Sequence, residues 1–450
     1  MPLKLYNTLS RKTEIFSPIS KNKVNFFACG PTVYDCSHLG HAKTYIQFDM
    51  IAKYLRFRGF KVNYLQNITD IDDKIIKKAN ETGENWKNIS RRYEKLYKED
   101  MKILGVDSVN KYASATGYIK EIISQVKRLI AKGYAYKISD GWYFDLKKDR
   151  DYGKLAGRTS LGLEDSVSRI DENKGKKNPG DFCLWKFSKP GEPVWKAEIG
   201  NGRPGWHIED TAITESEFGP QYDIHGGGID LIFPHHEAEI AQMESISEKK
   251  PMVSYWMHTG FLKINSEKMA KSLGNFMTIR DVLKKYRKDA IRYFFASTHY
   301  RKPIDFSEKS MENARNSVER LKNLVSEMKD DKKINKKYLE EFQKEVDDDV
   351  NLPNGLSVLW NLMRDEKAYG KLRTIKKIDE VFCFGLLKKK KEAIPKEVKK
   401  LAEEREKFRK QKNFLEADNI RDKINNLGFV VEDTEKGVVV KKYKKRGKNV

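Results

Sequence analysis

The chain has 450 residues, 39% hydrophobic and 34% charged, with a formal net charge of +23 and a pI near 9.4. That length suits about three domains, and the basic excess favours a polyanionic partner, nucleic acid first, although a lysine-rich proteome raises the pI in the same way. Only 4 cysteines are present, Cys29, Cys36, Cys183 and Cys383, which excludes a disulfide framework. The opening MPLKLYNTLSRK has no apolar signal core, and no stretch is long and apolar enough to span a bilayer as a helix, so a cytoplasmic location is expected.

Residues 23–29, KVNFFAC, read as a buried strand that Gly30-Pro31 ends. From 42 to 58 the apolar residues Tyr45, Ile46, Phe48, Ile51 and Leu55 fall at helical spacing, and Gly59 closes the helix. Residues 61–68, KVNYLQNI, form the next strand. Strand, helix and strand at this length predict a βαβ unit in a parallel sheet. Ligands on such sheets bind beyond the carboxyl ends of the strands, where Cys29 lies.

Residues from about 120 to 200 read as an insertion: a helix over 119–132, then polar sequence such as DENKGKKNPGD. Sheet chemistry resumes at GRPGWHIED, residues 202–210. Residues 222–231, YDIHGGGIDL, form a short strand feeding a triple-glycine loop, and Pro234 starts a helix over HHEAEIAQMESI. Residues 281–296 are helical. From 308 to about 370 long amphipathic helices dominate, as in a bundle. Residues 382–391 end in a lysine run and read as a linker. Then come a helical hairpin over 397–426 and two short strands around a turn over 428–442. Of the 8 histidines, none lies beyond His299, so histidine chemistry is confined to the first two-thirds.

Two short motifs stand far apart, His38-Leu39-Gly40-His41 and Lys268-Met269-Ala270-Lys271-Ser272. The histidines are at i and i+3 and share a face if the segment opens a helix, with Gly40 keeping the backbone open for a phosphate. The lysines bring ammonium groups to a developing pyrophosphate, and an anionic transition state gains most from preplaced cations. In this order they point to activation of a carboxylate with ATP. Either motif alone is weak: the first also occurs in small nucleotidyltransferases, and the second is often a solvated loop.

A second constellation is metal-like. His235 and Glu239, at i and i+4 on the predicted helix, face one way. Cys29 at a strand end and Asp210 after a turn could converge with them over the sheet as zinc ligands. Taken singly, Cys29 is equally a small buried hydrophobe and His235–Glu239 a helix-face pair.

The two motifs resemble the signatures of class I aminoacyl-tRNA synthetases. Beyond them, FFACGPTVYDCSHLGHAKTY, NITDIDDKI, GRPGWHIED, DIHGGGIDLIFPHHEAEIAQ and YWMHTGFLKINSEKMAKSLGNF are similar to cysteinyl-tRNA synthetases, from the N-terminus through about residue 310 and weakly to the end. The resemblance implies an α/β fold: a Rossmann-like parallel-sheet catalytic domain (1–120 and 200–262) with a connective insertion (121–199). A signature-loop and stem-contact region (263–308) follows, then an α-helical bundle on the anticodon stem (309–387) and a small basic C-terminal domain (388–450). It implies a monomer acting on L-cysteine, ATP with Mg2+, and tRNA-Cys.

Carried over residue by residue, one Zn2+ per subunit would sit on Cys29, Asp210, His235 and Glu239. His38, His41, Lys268 and Lys271 would be catalytic. Gly226, Gly227, Gly228, Asp230 and Lys271 would hold the nucleotide, and Cys29, Gly30, Thr69, Trp206 and His207 would bind the amino acid. Two positions depart from the family pattern: Asp210 stands where the best-known members have cysteine, and Ala270 replaces the usual serine. Cys36 maps to no family ligand, and Asp72 and Asp73 receive no role. A zinc that ionises the substrate thiol would separate cysteine from serine, an isostere that shape alone rejects poorly. The rival enzyme, a related ligase joining cysteine to an amino sugar, should lack a long extension such as 308–450. A non-catalytic RNA-binding relative should have lost the signature residues, and a small nucleotidyltransferase explains neither the second motif nor the length.

Overall fold

The computed structural model describes residues 2–157, 175–269, 274–387, 395–434 and 437–442. An antiparallel hairpin of β1 (Lys4–Asn7) and β2 (Lys12–Ile15) opens the chain. Then β3 (Lys23–Ala28), α1 (Leu39–Phe57) and β4 (Lys61–Ile68) form the expected βαβ unit. Helices α2 (Asp73–Thr82) and α3 (Trp86–Leu104) lead to β5 (Lys111–Ser114).

The inserted part holds α4 (Ile119–Ala131) and an antiparallel sheet of β6 (Ala135–Ile138), β7 (Gly141–Phe144), β8 (Cys183–Phe187) and β9 (Gly202–Pro204). Helix α5 (Trp206–Phe218) returns the chain to β10 (Tyr222–Gly228), α6 (Glu237–Ser247) and β11 (Val253–Thr259).

The central sheet has the order β11-β10-β3-β4-β5, and every pairing in it is parallel. Its strands are covered on both faces, so they read as near-continuous apolar runs. In β3, Val24, Phe26, Phe27 and Ala28 are all buried, and Phe26 stacks on Tyr64 of β4. Chain order reverses at β3, flanked by β4 on one side and β10 on the other. The crevice beyond the carboxyl ends of β3 and β10 is therefore the switch point where such sheets take their ligands.

After β11 come a three-stranded sheet of β12 (Leu262–Ile264), β13 (Glu267–Lys268) and β14 (Ile304–Phe306), with α7 (Ile279–Lys285) and α8 (Lys288–Ala296) between β13 and β14. Four more helices follow: α9 (Glu308–Glu327), α10 (Lys336–Val346), α11 (Leu352–Arg364) and α12 (Lys371–Phe382). The hydrophobic core runs without interruption from the sheet into these helices. A separate compact unit, Lys388–Val450, contains α13 (Lys396–Lys410), α14 (Phe414–Asn426) and the antiparallel pair β15 (Phe429–Thr434) and β16 (Gly437–Lys442) around its own core of Val398, Ile420, Ile424 and Val431.

Five expectations need correction. Residues 202–210, expected to resume the sheet, instead supply β9 to the inserted antiparallel sheet and then open α5, and the triple glycine expected in a loop lies within β10. Helix α1 starts at Leu39 rather than near residue 42, so the first motif lies in its opening turn. The helix expected from Pro234 starts at Glu237. A wide turn, Ile232–His236, precedes it, with Phe233 in an extended conformation (φ −137°). The helix expected over 281–296 is two, because Tyr286 is extended between α7 and α8.

Candidate active site and metal centre

Cys29 is the first residue beyond β3, in the crevice. Its N–H donates to the carbonyl of Gly226 on β10, which fixes the backbone there. Asp210 lies in the second turn of α5, His235 in the wide turn, and Glu239 in the first turn of α6. These four come together from three separate stretches of chain. His235 Nε2 stands 3.6 Å from Cys29 Sγ, 3.2 Å from Asp210 Oδ2 and 3.2 Å from Glu239 Oε1. Ligand atoms of Cys29, Asp210 and His235 lie within 4.8 Å of one another.

All four side chains are buried. Burial first, then Asp210 and Glu239, push the Cys29 thiol well above its ordinary pKa. Burial and the Asp210 carboxylate likewise raise that of Glu239. Neither oxygen of Glu239 makes a hydrogen bond: Oε1 faces His235 Nε2 at 3.2 Å and Oε2 faces His225 Nδ1 at 3.5 Å, and a buried carboxylate without hydrogen bonds is costly. A thiol and two carboxylates, crowded around one imidazole, make a group of donors that a divalent cation fits.

Neighbouring side chains hold this group in shape. Asn67 Nδ2 donates to Asp210 Oδ1 at 2.5 Å, while Asn67 Oδ1 accepts from the Gly30 N–H. His207 Nδ1 is 2.8 Å from His235 Nδ1, and the indole of Trp206 stacks on the His235 ring at 4.2 Å. Trp206 is 36% exposed and, with His207, lines a small cavity beside Asp72 and Arg203. Thr69 is buried; its N–H donates to Pro31 and its carbonyl accepts from Val33, tying the end of β4 to the loop after Cys29.

Beyond Glu239 lie three histidines that sequence reasoning left without a role. His225 and His236 could, with Glu239, form a second donor group within 4.8 Å. Tyr222 bonds His225 Nδ1 at 2.7 Å, and His236 Nδ1 is 2.9 Å from His258 Nε2, whose other nitrogen meets Thr8. The available signal was the clustering of histidines around the triple glycine, His225 before it and His235–His236 after it.

The first motif caps α1. His38 accepts the His41 N–H on Nδ1 at 3.3 Å, and His41 Nδ1 accepts the His38 N–H at 3.4 Å. The two rings stack at 3.7 Å. Burial, then His38, lower the His41 pKa well below the ordinary value, which keeps its ring neutral. A Cβ on Gly40 would sit 2.9 Å from the His38 ring and 3.6 Å from the methyl of Met269, so the second motif packs over the first. Main-chain bonds join the segment after the second motif to the same place: Leu39 N–H donates to Met277, and Ile279 N–H to Ser37. Lys268 lies in β13, its backbone opposite Lys263. Lys271 lies outside the described residues, as do Ala270 and Ser272.

The triple glycine is the end of β10. A Cβ on Gly226 would meet the Phe48 ring at 2.6 Å, and one on Gly227 the His236 ring at 2.6 Å. Packing alone accounts for those two. Gly228 is partly open beside Asp230, which is exposed.

Residues 15–316 match the family described as the class I (C) tRNA synthetase catalytic domain, and residues 391–446 match the cysteinyl-tRNA ligase anticodon-binding domain. The second match speaks against the amino-sugar rival. The chain is 43% identical to the cysteine–tRNA ligase of Thermococcus gammatolerans over 99% of its own length and 100% of that protein. It is 45% identical to that of Thermoplasma volcanium, over 95% and 97%. Among solved structures, Mycobacterium tuberculosis methionyl-tRNA synthetase in complex with methionyl-adenylate shares the fold, with a TM-score of 0.56 at 15% identity over 80% of this chain and 90% of that one. With catalytic and anticodon-binding matches on one chain and relatives aligned nearly end to end, the chain belongs to the cysteinyl-tRNA synthetases of class I.

Proposed function

We propose that this cysteine–tRNA ligase selects its amino acid through a Zn2+ ion held by Cys29, Asp210, His235 and Glu239. The observation that carries this reading is the buried Glu239 carboxylate, neither oxygen of which makes a hydrogen bond, set beside a thiol, a second carboxylate and an imidazole nitrogen 3.2 Å away. When bound, the ion supplies a Lewis acid that favours the thiolate of substrate cysteine over the much less acidic hydroxyl of serine. A His235 that gave Nε2 to the ion would carry its proton on Nδ1 and donate it to His207 Nδ1, 2.8 Å away, which would orient the ring. Trp206 walls the amino-acid pocket, and Gly30 and Thr69 shape its floor.

The reaction has two steps. The cysteine carboxylate attacks the α-phosphate of Mg2+-bound ATP, forming cysteinyl-adenylate and releasing pyrophosphate. A terminal ribose hydroxyl of tRNA-Cys then attacks the adenylate carbonyl and releases AMP. No side chain is a nucleophile; rate comes from positioning and from charge placed ahead of the transition state. His38 and His41 meet the phosphates at the start of α1, where the helix end favours anions. Lys268 and Lys271 stabilise the leaving pyrophosphate, and Gly228 with Asp230 borders the nucleoside.

The test is charging of a tRNA-Cys transcript with cysteine and with serine, alongside metal analysis of the purified chain. Cysteine-only charging with one zinc per chain is expected. Comparable serine charging, or full cysteine selectivity in a chain free of zinc, would sink the zinc reading.

A further inference from the structure

Lysine is almost never fully buried without an anion beside it. Lys43 is. It sits on α1 two residues after His41, is 1% exposed, and among the described residues no carboxylate pairs with it. Burial lowers its pKa to about 7. Its ammonium donates to Gln47 Oε1 at 3.1 Å, to the Gly260 carbonyl at 2.6 Å and to the Tyr300 carbonyl at 3.3 Å.

Those carbonyls occupy a particular place. Gly260 ends the turn out of β11, just before β12 and β13 carry the chain into the second motif. Tyr300 precedes β14, which pairs in parallel with β12, and its carbonyl also accepts the Gly260 N–H. Neighbours on α1 grip the same region. Thr44 and Thr259 share a hydrogen bond at 3.0 Å, and Gln47 donates to the Phe295 carbonyl at 3.3 Å. At its far end the segment is bonded to the start of α1, through Met277 and Ile279. The segment bearing the second motif is thus rooted at both ends on the helix bearing the first.

We propose that Lys43 is a positioning residue for adenylate formation: its ammonium fixes the root of the second-motif segment on the signature helix. This rests on the reading that the two motifs act together on the phosphates. A methionine of similar length would keep the apolar packing but leave the Gly260 carbonyl without its donor and the root free to slide. A displacement of about 1 Å at a distance from the chemistry can cost about 100-fold in rate. A buried charge kept only for stability would be a poor choice, because apolar replacements of buried charges are often neutral or stabilising.

The experiment compares Lys43→Met with the unsubstituted full chain in three measurements: cysteine-dependent ATP–pyrophosphate exchange, single-turnover transfer from preformed cysteinyl-adenylate to tRNA-Cys, and thermal melting. Exchange should fall by about 100-fold, while transfer and melting temperature hold. Unchanged exchange would overturn the proposal, and so would exchange, transfer and melting falling together. Absence of exchange in the unsubstituted chain would overturn the parent reading, and this one with it.

Discussion

Asp210 shows how one side chain can set the character of a site. Asn67 donates to one of its oxygens, and the other faces His235. The carboxylate therefore offers one oxygen, a harder donor than the thiolate found there in the best-known relatives. Asp210→Ala is expected to lower zinc content and to raise the KM for cysteine, with Asp210→Cys keeping the metal. Metal analysis beside pyrophosphate-exchange kinetics checks both, and full zinc with an unchanged KM in Asp210→Ala would remove Asp210 from the ligand set. Cys29, Asp210, His235 and Glu239 could be picked from residue type and family pattern. Asn67 could not: it touches Asp210 across 143 residues of sequence, and nothing in NITD marks an asparagine that reaches that far. His225 and His236 beyond Glu239 did carry a local signal, their clustering around the triple glycine, but no pattern that gave them a role.

At the scale of elements, periodicity found the strands and most helices, and it failed where an unusual group did the capping. Histidine is outside the usual set of helix caps, so periodicity alone puts the start of α1 a turn late. The breaks at Phe233 and Tyr286 leave no mark in the periodicity, and the proline beside the first reads as a helix start. What holds α1 in place is also invisible to periodicity. Its Asp49 and Arg292 of α8, both fully buried, pair at 2.8 Å, and the guanidinium also bonds the carbonyls of Gly105 and Phe382. One ion pair thus joins α1, α8 and the ends of α3 and α12. Asp49→Ala would leave that guanidinium without its counter-ion and would also remove the carboxylate bonded by Lys53 and the Ser108 N–H, and a loss of about 3–5 kcal/mol is expected. Urea denaturation measures it; a loss under about 1 kcal/mol would show that the pair is not what fixes these helices.

For the whole molecule, order along the chain was legible: a parallel sheet first, an inserted segment within it, helices after, and a basic helical hairpin with two strands last. The small sheet of β12, β13 and β14 was not, because its strands are only two or three residues long and two of them are separated by α7 and α8. Net charge speaks at this scale too. A chain of +23 that grips tRNA through phosphate contacts releases counterions on binding. The KM for tRNA-Cys should therefore rise steeply with salt while cysteine-dependent exchange, which needs no tRNA, changes little. Kinetics between about 50 and 200 mM salt decide it; parallel responses would mean that the positive charge serves something other than tRNA.

The cap on α1 has a consequence for how this chain can drift. His38 closes a helix end and belongs to the first motif with the same imidazole. A substitution there that the reaction could tolerate would still unseat the helix, and one that suited the helix would still remove the ring. Alanine scanning confounds the two losses. Asparagine, a good cap without an imidazole, separates them. Two independent demands on one ring narrow the neutral paths open to this position more than either demand alone.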